Sequence, residues 1–105
     1  MIKVWLDDIR PMPKEYDTHV KTAKEAIRLL ASGQVEMISF DHDLGPVEAG
    51  TGYEVAKELE RMVYDGLIKM PKWALHTANP VGRENMRKAL LMAQLYGQKH
   101  REEKP

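Results

Sequence analysis

Short runs of apolar residues alternate along the chain with longer stretches in which apolar residues recur at helical spacing. The short runs cover residues 2–6, 35–40 and 71–75, and a weaker run over residues 16–22 is centred on Val20. Each run is bounded by polar or turn-forming residues, which is typical of strands. The pattern therefore predicts three clear strands and one weak strand.

Three further stretches have the apolar spacing of amphipathic helices. They cover about residues 22–32, 53–64 and 80–96. The first opens with Thr22 and Glu25 in the arrangement of a capping box, in which both side chains satisfy free backbone N–H groups. The sequence therefore predicts three helices, each of which follows a predicted strand.

The order of these elements is strand, weak strand, helix, strand, helix, strand, helix, which predicts a parallel sheet covered by helices. The first connection, about residues 7–18, is too short and too rich in proline for a normal crossover helix, so the first helix is expected to be reduced or missing. Gly97 is placed to end the last helix. One domain over residues 1–97 and a polar, frayed tail over residues 98–105 are therefore predicted.

The composition narrows the class of protein. A chain of 105 residues is expected to form one domain. The absence of cysteine excludes disulfides, cysteine–zinc sites, iron–sulfur clusters and thiol nucleophiles. The formal net charge is zero, whereas domains that bind long nucleic acid mainly by charge are usually basic. No apolar run approaches the roughly 20 residues of a membrane span, and no signal sequence is evident, so a cytoplasmic protein without membrane contact is expected.

Polar side chains that could bind a ligand or take part in catalysis follow each of the three clear strands. Taken singly, most such groups are turns, caps or solvated loops. The carboxyl ends of parallel strands, however, meet at one edge of a sheet, where ligands bind in open α/β folds, so these groups are expected to share one site. They are Asp7, Asp8 and Arg10 after the first strand, Asp41, His42 and Asp43 after the next, and His76, Thr77 and Asn79 after the last.

The chemistry of this set favours a phosphate held beside a divalent cation. Carboxylate oxygens from Asp7, Asp8 and Asp41 suit Mg²⁺, and the histidines make Mn²⁺ the alternative. The N-terminus of the helix that starts after Asn79 favours an anion. The guanidinium groups of Arg10 and Arg83 would add two-pronged hydrogen bonds to a phosphate. Clustered acids repel one another, so neutralising Asp7 or Asp8 is expected to relieve strain in the metal-free protein.

Three motifs resemble those of response-regulator receiver domains: WLDD at residues 5–8, ISFD at 38–41 and LHTA at 75–78. The resemblance implies that Asp7 and Asp8 hold Mg²⁺, that Asp41 occupies the phosphoacceptor position and that Thr77 contacts the phosphoryl group. The chain departs from that family in three respects: it lacks a fifth strand with its phosphate-binding lysine, its first helix is reduced, and it carries two additional histidines.

The chain is more similar to the family of cyclic-phosphate-processing receiver domains. The matching motifs span nearly its whole length: WLDDIRP at residues 5–11, SFDHDLG at 39–45, GTGY at 50–53 and HTANP at 76–80. This resemblance implies a compact receiver-like (flavodoxin-like) α/β fold. We expect a three-layer sandwich with a parallel sheet of three to four strands, a reduced first helix and no fifth strand.

These observations predict a small metal-assisted phosphoesterase that acts on the cyclic phosphate of a nucleotide or of a nucleic-acid end. The predicted metal ligands are Asp7, Asp8 and Asp41; the predicted catalytic residues are Asp41, His42 and His76; the predicted substrate-binding residues are Arg10, Asp43, Thr77, Asn79 and Arg83. The two histidines would act as general base and general acid. Either water or Asp41 would be the nucleophile.

The sequence leaves two alternatives open. One is a degenerate receiver-like module, for instance a phage-encoded one, that binds a ligand or a host protein without turnover. The other is a receiver domain that accepts a phosphoryl group on Asp41. Tolerance of alanine at both histidines would favour the first, and labelling of Asp41 by a small phosphodonor would favour the second.

Overall fold

The computed structural model describes residues 1–103 as a four-stranded sheet and three α-helices. The strands are β1 (Ile2–Leu6), β2 (Thr18–Val20), β3 (Val35–Phe40) and β4 (Lys72–Leu75), and the helices are α1 (Ala23–Ala31), α2 (Gly52–Tyr64) and α3 (Pro80–Glu103). A 3₁₀ turn, Val47–Ala49, precedes α2. All the predicted elements are therefore present, including the weak strand.

The four strands are parallel and lie in the order β2-β1-β3-β4. Leu6 lies opposite Val20 on one side and Phe40 on the other, and Phe40 lies opposite Leu75. These side chains face the helices, and both Leu6 and Phe40 are fully buried in the main apolar core. The register brings the ends of β1, β3 and β4 to the same edge of the sheet. The α/β receiver-like fold and the missing fifth strand are confirmed for residues 1–103.

The helices pack side by side on one face of the sheet, α1 against α2 and α2 against α3. The crossovers from β2 to β3 and from β3 to β4 run in the same direction, so right-handed connections place their helices on the same face. The connection from β1 to β2 runs the opposite way, and it contains no helix. The third layer of the expected sandwich is therefore not helical.

The segment 8–17 covers the helix-free face of the sheet instead. Trp5 points to this face because its neighbours on β1, Val4 and Leu6, belong to the core on the other side. The ring of Tyr16 packs against Trp5 with a centroid distance of 5.2 Å, and both side chains are buried. A small second apolar cluster thus fastens the first connection to the sheet.

Local capping sets the starts of the first two helices. The carboxylate of Glu25 accepts from the hydroxyl of Thr22 and not, as a full capping box would require, from a backbone N–H. The other half of the capping box is confirmed, because the hydroxyl of Thr22 accepts a hydrogen bond from the backbone N–H of Glu25. Thr51 does the same for the N–H of Glu54 at the start of α2. These bonds satisfy donors that a helix cannot satisfy internally, so each helix begins at a defined residue. Both helices begin at the edge of the sheet where the parallel strands end.

The last helix is longer than the sequence predicts. Gly97 was expected to end it, yet α3 continues to Glu103. A Cβ at position 97 would lie 3.1 Å from Cβ of Met70 and 3.5 Å from Cγ1 of Val63, so this glycine serves close packing rather than termination. Residues 98–103 of the predicted tail are therefore helical, and residues 104–105 lie outside the described part of the chain. Within residues 1–103, no helix has the length and apolarity that crossing a membrane requires.

Candidate functional site

A cleft of about 380 Å³ opens where β1, β3 and β4 end. Its lining comes from the three segments that follow these strands: Asp7, Asp8, Ile9, Arg10, Asp41, Asp43, Gly45, Thr77, Ala78 and Asn79. The predicted convergence of the strand ends is confirmed, since acids from two segments share the cleft with a hydroxyl and an amide from the third. Three members of the predicted set, His42, His76 and Arg83, do not line it.

Asp7 is the most enclosed acid of the cluster and has no exposed surface. Its Oδ1 accepts hydrogen bonds from the backbone N–H groups of Ile9 (2.8 Å) and Arg10 (2.9 Å). Its Oδ2 accepts from Nη1 of Arg10 and from Nε2 of His76, each at 3.0 Å. Burial alone would raise the pKa of Asp7, but these hydrogen bonds outweigh it and hold the pKa below its usual value. The carboxylate is therefore ionised, and both its oxygens have protein partners.

The guanidinium of Arg10 lies between two acids. Its Nη1 is 3.0 Å from Oδ2 of Asp7 and 3.4 Å from Oδ2 of Asp41. The hydrogen bond to Asp7 and the nearby charge of Asp41 raise the pKa of Arg10 above its ordinary value. Its backbone is fixed, since Trp5 donates to its carbonyl at 3.3 Å. The side chain is nonetheless 44% exposed, so this cation stands at the boundary between the acidic cluster and open solvent.

His76 is held on the helix-free side of the sheet. Its ring stacks on Trp5 with a centroid distance of 3.8 Å and an interplanar angle of 6°. Nδ1 lies 2.7 Å from Oγ of Ser39, and Nε2 lies 3.0 Å from Oδ2 of Asp7. An ionised carboxylate only accepts, so Nε2 carries the hydrogen and Nδ1 accepts from the serine hydroxyl. Burial lowers the pKa of His76 more than Asp7 raises it, so the ring is neutral and orients Asp7.

His42 lies beside the cleft and contacts two of its lining residues. Its Nδ1 is 3.0 Å from Oδ1 of Asp43 and 3.4 Å from Nδ2 of Asn79. The hydrogen bond from His42 is the main reason that the pKa of Asp43 falls below its usual value, so Nδ1 donates to an ionised carboxylate. Nε2 has no hydrogen-bond partner in residues 1–103. An imidazole that is oriented by a carboxylate and has an open Nε2 could accept a proton, which is what a general base has to do.

The contact of His42 with α3 depends on a glycine. A Cβ at Gly82 would lie 2.4 Å from Cγ and Cδ2 of the His42 ring, closer than atoms can approach. Similarly, a Cβ at Gly52 would lie 2.0 Å from the carbonyl oxygen of Asp41, so the absence of a side chain lets α2 begin directly against the segment after β3. These two glycines therefore allow His42 and Asp41 to lie in close contact with the helices.

Three acids of the cluster could hold a metal ion. One carboxylate oxygen from each of Asp7, Asp8 and Asp41 lies within 4.8 Å of the others. Asp8 receives no hydrogen bond from residues 1–103, whereas Oδ1 of Asp41 accepts from the backbone N–H of His42 at 2.8 Å. A set of carboxylates with an open member fits a hard divalent cation such as Mg²⁺, which takes one or two carboxylates together with waters and phosphate oxygens.

The segment after β4 is shaped by local hydrogen bonds. Oγ1 of Thr77, a buried side chain, accepts from the backbone N–H of Asn79 at 3.1 Å. Oδ1 of Asn79 accepts from the N–H of Gly82 at 2.9 Å and so caps α3, while its Nδ2 donates to Asp43 at 3.4 Å. The first turn of α3 thus faces the cleft edge. Arg83 instead donates to the carbonyl of Leu75 at 3.3 Å, outside the cleft lining.

Two supporting residues were missed in the sequence. His19 lies opposite Trp5 on β2, and its Nε2 donates to the backbone carbonyl of Asp7 at 2.8 Å. Ser39 lies opposite Trp5 on β3 and holds His76. Strand alternation was the available signal, because it places both side chains on the face that carries Trp5. Without the register, nothing in the sequence connects them with Asp7.

A family model described as the cyclic-phosphate processing receiver domain matches residues 2–92 of the chain. The matched region contains every residue that lines the cleft, together with His42 and His76. No curated protein and no solved structure matches the chain.

Proposed function

Because the chain belongs to the cyclic-phosphate processing receiver domain family, we propose that it is a small metal-assisted phosphoesterase that opens the cyclic phosphate of a nucleotide or of a nucleic-acid end. The observation that carries this proposal is the pairing of His42 with Asp43 at 3.0 Å beside the acidic cluster. A binding module needs cations and donors for an anion, but it does not need an imidazole oriented by a carboxylate.

His42 is the group that moves protons in this proposal. Asp43 accepts from Nδ1 and thereby fixes the tautomer whose Nε2 has a free lone pair. Nε2 takes a proton from the attacking water as the new P–O bond forms. One P–O bond of the cyclic ester breaks, and the proton on His42 passes to the leaving oxygen. Such positioned acid–base groups contribute about 10²–10⁴-fold to the rate.

The phosphate is proposed to lie against the wall formed by Arg10, Thr77 and Asn79. The guanidinium supplies charge and two-pronged hydrogen bonding, and the start of α3 adds the favourable end of its dipole. Asp7, Asp8 and Asp41 would hold the divalent cation, which would neutralise charge on the phosphoryl oxygens. Arg83 is left out of this binding set because its side chain is engaged by Leu75.

We assign His76 a positioning role rather than the acid–base role expected from the sequence. Both its ring nitrogens are engaged by protein groups, and its ring is stacked on Trp5. A proton relay through His76 would have to break its bond to Asp7 or to Ser39. Its contribution is to aim Oδ2 of Asp7 and to keep that acid ionised.

The test is turnover on a panel of cyclic phosphates with Mg²⁺ or Mn²⁺. The panel comprises 2′,3′- and 3′,5′-cyclic nucleotides, cyclic oligonucleotides and RNA with a 2′,3′-cyclic phosphate end, followed by ³¹P NMR. His42→Ala should lower kcat by about 10²–10⁴-fold. His100→Ala is the matched control, because that imidazole binds the carbonyl of Tyr64 far from the cleft. It should leave kcat unchanged.

Two outcomes would overturn the phosphoesterase proposal. Absence of turnover on the whole panel, with metal-dependent binding of one member, would identify a binding module. Transfer of a phosphoryl group from a small phosphodonor to Asp41 would identify a phosphoaccepting receiver. Equal turnover in His42→Ala and in the wild type would support the phosphoesterase reaction but show that His42 takes no part in it.

A further inference from the structure

We propose that the guanidinium of Arg10 is a resident cation of the acidic cluster and that a divalent cation must displace it in order to bind. The inference rests on the proposed metal-assisted function. Arg10 and the cation share their ligands: Nη1 contacts Oδ2 of Asp7 at 3.0 Å and approaches Oδ2 of Asp41 at 3.4 Å. These two acids, with Asp8, are the set whose oxygens converge within 4.8 Å.

The geometry of Asp7 leaves no room for both cations. Its Oδ1 is fixed by the backbone N–H groups of Ile9 and Arg10, so the carboxylate has little freedom to turn. Its Oδ2 already accepts from Arg10 and from His76. Mg²⁺ binds a carboxylate oxygen at about 2.0–2.1 Å, well inside the distance of either nitrogen, so one of these two donors has to leave.

The structure indicates which donor leaves. His76 is held by the Trp5 ring on its face and by Ser39 at its other nitrogen. The side chain of Arg10 is 44% exposed, and its only side-chain partners in residues 1–103 are the two acids. Arg10 therefore moves and His76 stays, because moving the histidine would break a stack and two hydrogen bonds.

Displacement would not carry Arg10 far from the cleft. Its backbone N–H is bonded to Oδ1 of Asp7, and its carbonyl accepts from Trp5. Only the side chain is free to turn, and it does so at the wall of the same cleft. The released guanidinium is then available to a phosphate that the cation also binds, so loading the metal prepares the anion site.

The experiment measures Mn²⁺ affinity by calorimetry and by EPR in the wild type, Arg10→Gln and Arg83→Gln. Arg10→Gln should bind Mn²⁺ about tenfold or more tightly than the wild type, because the cation no longer competes with a charged hydrogen-bond donor. Arg83→Gln removes the same charge near the same edge without touching the acids. Its affinity should stay within about twofold of the wild type, since exposed charges near the site are screened.

A second measurement uses the wild type alone, so it does not depend on the stability of a variant. In ¹⁵N spectra, the side-chain signals of Arg10 should shift on addition of Mg²⁺. The ring ¹⁵N signals of His76 should keep the pattern of a neutral imidazole that is hydrogen-bonded at both nitrogens. Equal Mn²⁺ affinity in the wild type and Arg10→Gln, or unmoved Arg10 signals in the Mg²⁺-saturated protein, would overturn the competition alone. Absence of cation binding in every variant would overturn the proposed metal site and, with it, this inference.

Discussion

Nε2 of His76 lies 3.0 Å from Oδ2 of Asp7, across 69 residues of sequence and over the intervening strand β3. The bond ties the ends of β1 and β4 together on the face of the sheet that has no helices. The bond helps to hold the pKa of Asp7 below its usual value, so the carboxylate stays ionised. Burial lowers the pKa of His76 more than the bond to Asp7 raises it, so the imidazole is neutral. The acid at the centre of the cleft is therefore part of a structural network as well as a candidate ligand.

The His76–Asp7 pair predicts a pH dependence of stability in the metal-free protein. Because the pKa of folded His76 is lowered, the unfolded chain binds more protons below its ordinary value of 6.5, and the free energy of unfolding falls as pH drops through that value. A second decline, from Asp7, begins below 3.8. Urea unfolding from pH 8 to pH 4.5 in EDTA measures the first decline. His76→Gln should reduce it and His100→Gln should not; an equal slope in all three proteins would contradict the assignment.

Asp7 and Asp8 are predicted to differ when each is changed to asparagine in the metal-free protein. Asp7→Asn should lower the free energy of unfolding by about 2–3 kcal/mol, because it disrupts a buried, paired carboxylate. Asp8→Asn should change it by less than about 0.5 kcal/mol, because Asp8 has no hydrogen-bond partner among residues 1–103 to lose. The structure favours a loss of stability in Asp7→Asn over the relief of strain expected at Asp7 from the sequence, because Arg10 and the backbone already compensate that charge. Chemical denaturation of both variants in EDTA measures the difference, and equal effects would refute it.

Asp8 is also predicted to control the response to metal. Mg²⁺ at ten times its dissociation constant stabilises the native state by about 1.4 kcal/mol, which raises Tm by roughly 5–10 °C for a domain of this size. Asp8→Asn should remove most of this rise. Asp65→Asn is the control, because that acid pairs with Arg61 at the end of α2 and lies outside the cleft. A wild-type melting curve unaffected by millimolar Mg²⁺ and Mn²⁺ would contradict the proposed metal site.

Gly82 is predicted to reveal the position of His42 through a double-mutant cycle. In the wild type, Gly82→Ala should be destabilising, because the new Cβ would overlap the His42 ring. In a His42→Ala background the same change should be neutral or stabilising by up to about 1 kcal/mol, because alanine favours the helix over glycine. Thermal denaturation of the four proteins measures the coupling. A Gly82→Ala effect that is the same in both backgrounds would place the ring elsewhere.

The fold and the convergence of the strand ends could be predicted because they follow from local patterns. Alternating strands and helices dictate a parallel sheet, and a parallel sheet brings Asp7, Asp41 and Thr77 to one edge. The capping of α1 by Thr22 is equally local. These features depend on spacing along the chain, which one sequence displays directly.

The roles of individual side chains could not be predicted in the same way, because they depend on register and direction. His76 follows Leu75, which faces the helices, so strand alternation turns the imidazole to the opposite face, toward Trp5. The ion pairs of Arg10 depend on how the turn after β1 folds back. Gly97 has the sequence position of a helix terminator, but packing against Met70 overrides that tendency.

The segment after β1 has consequences for how this protein can vary. The same stretch supplies Asp8 and Arg10 to the cleft and Tyr16 to the cover of the helix-free face. In most α/β domains a crossover helix covers that face of the sheet, so the loops that contact the ligand can vary without uncovering it. Here an insertion or deletion in residues 8–17 would uncover Trp5 and dismantle the cleft together. New specificity is therefore expected to arise from the segments after β3 and β4, where a change in length leaves the second apolar cluster intact.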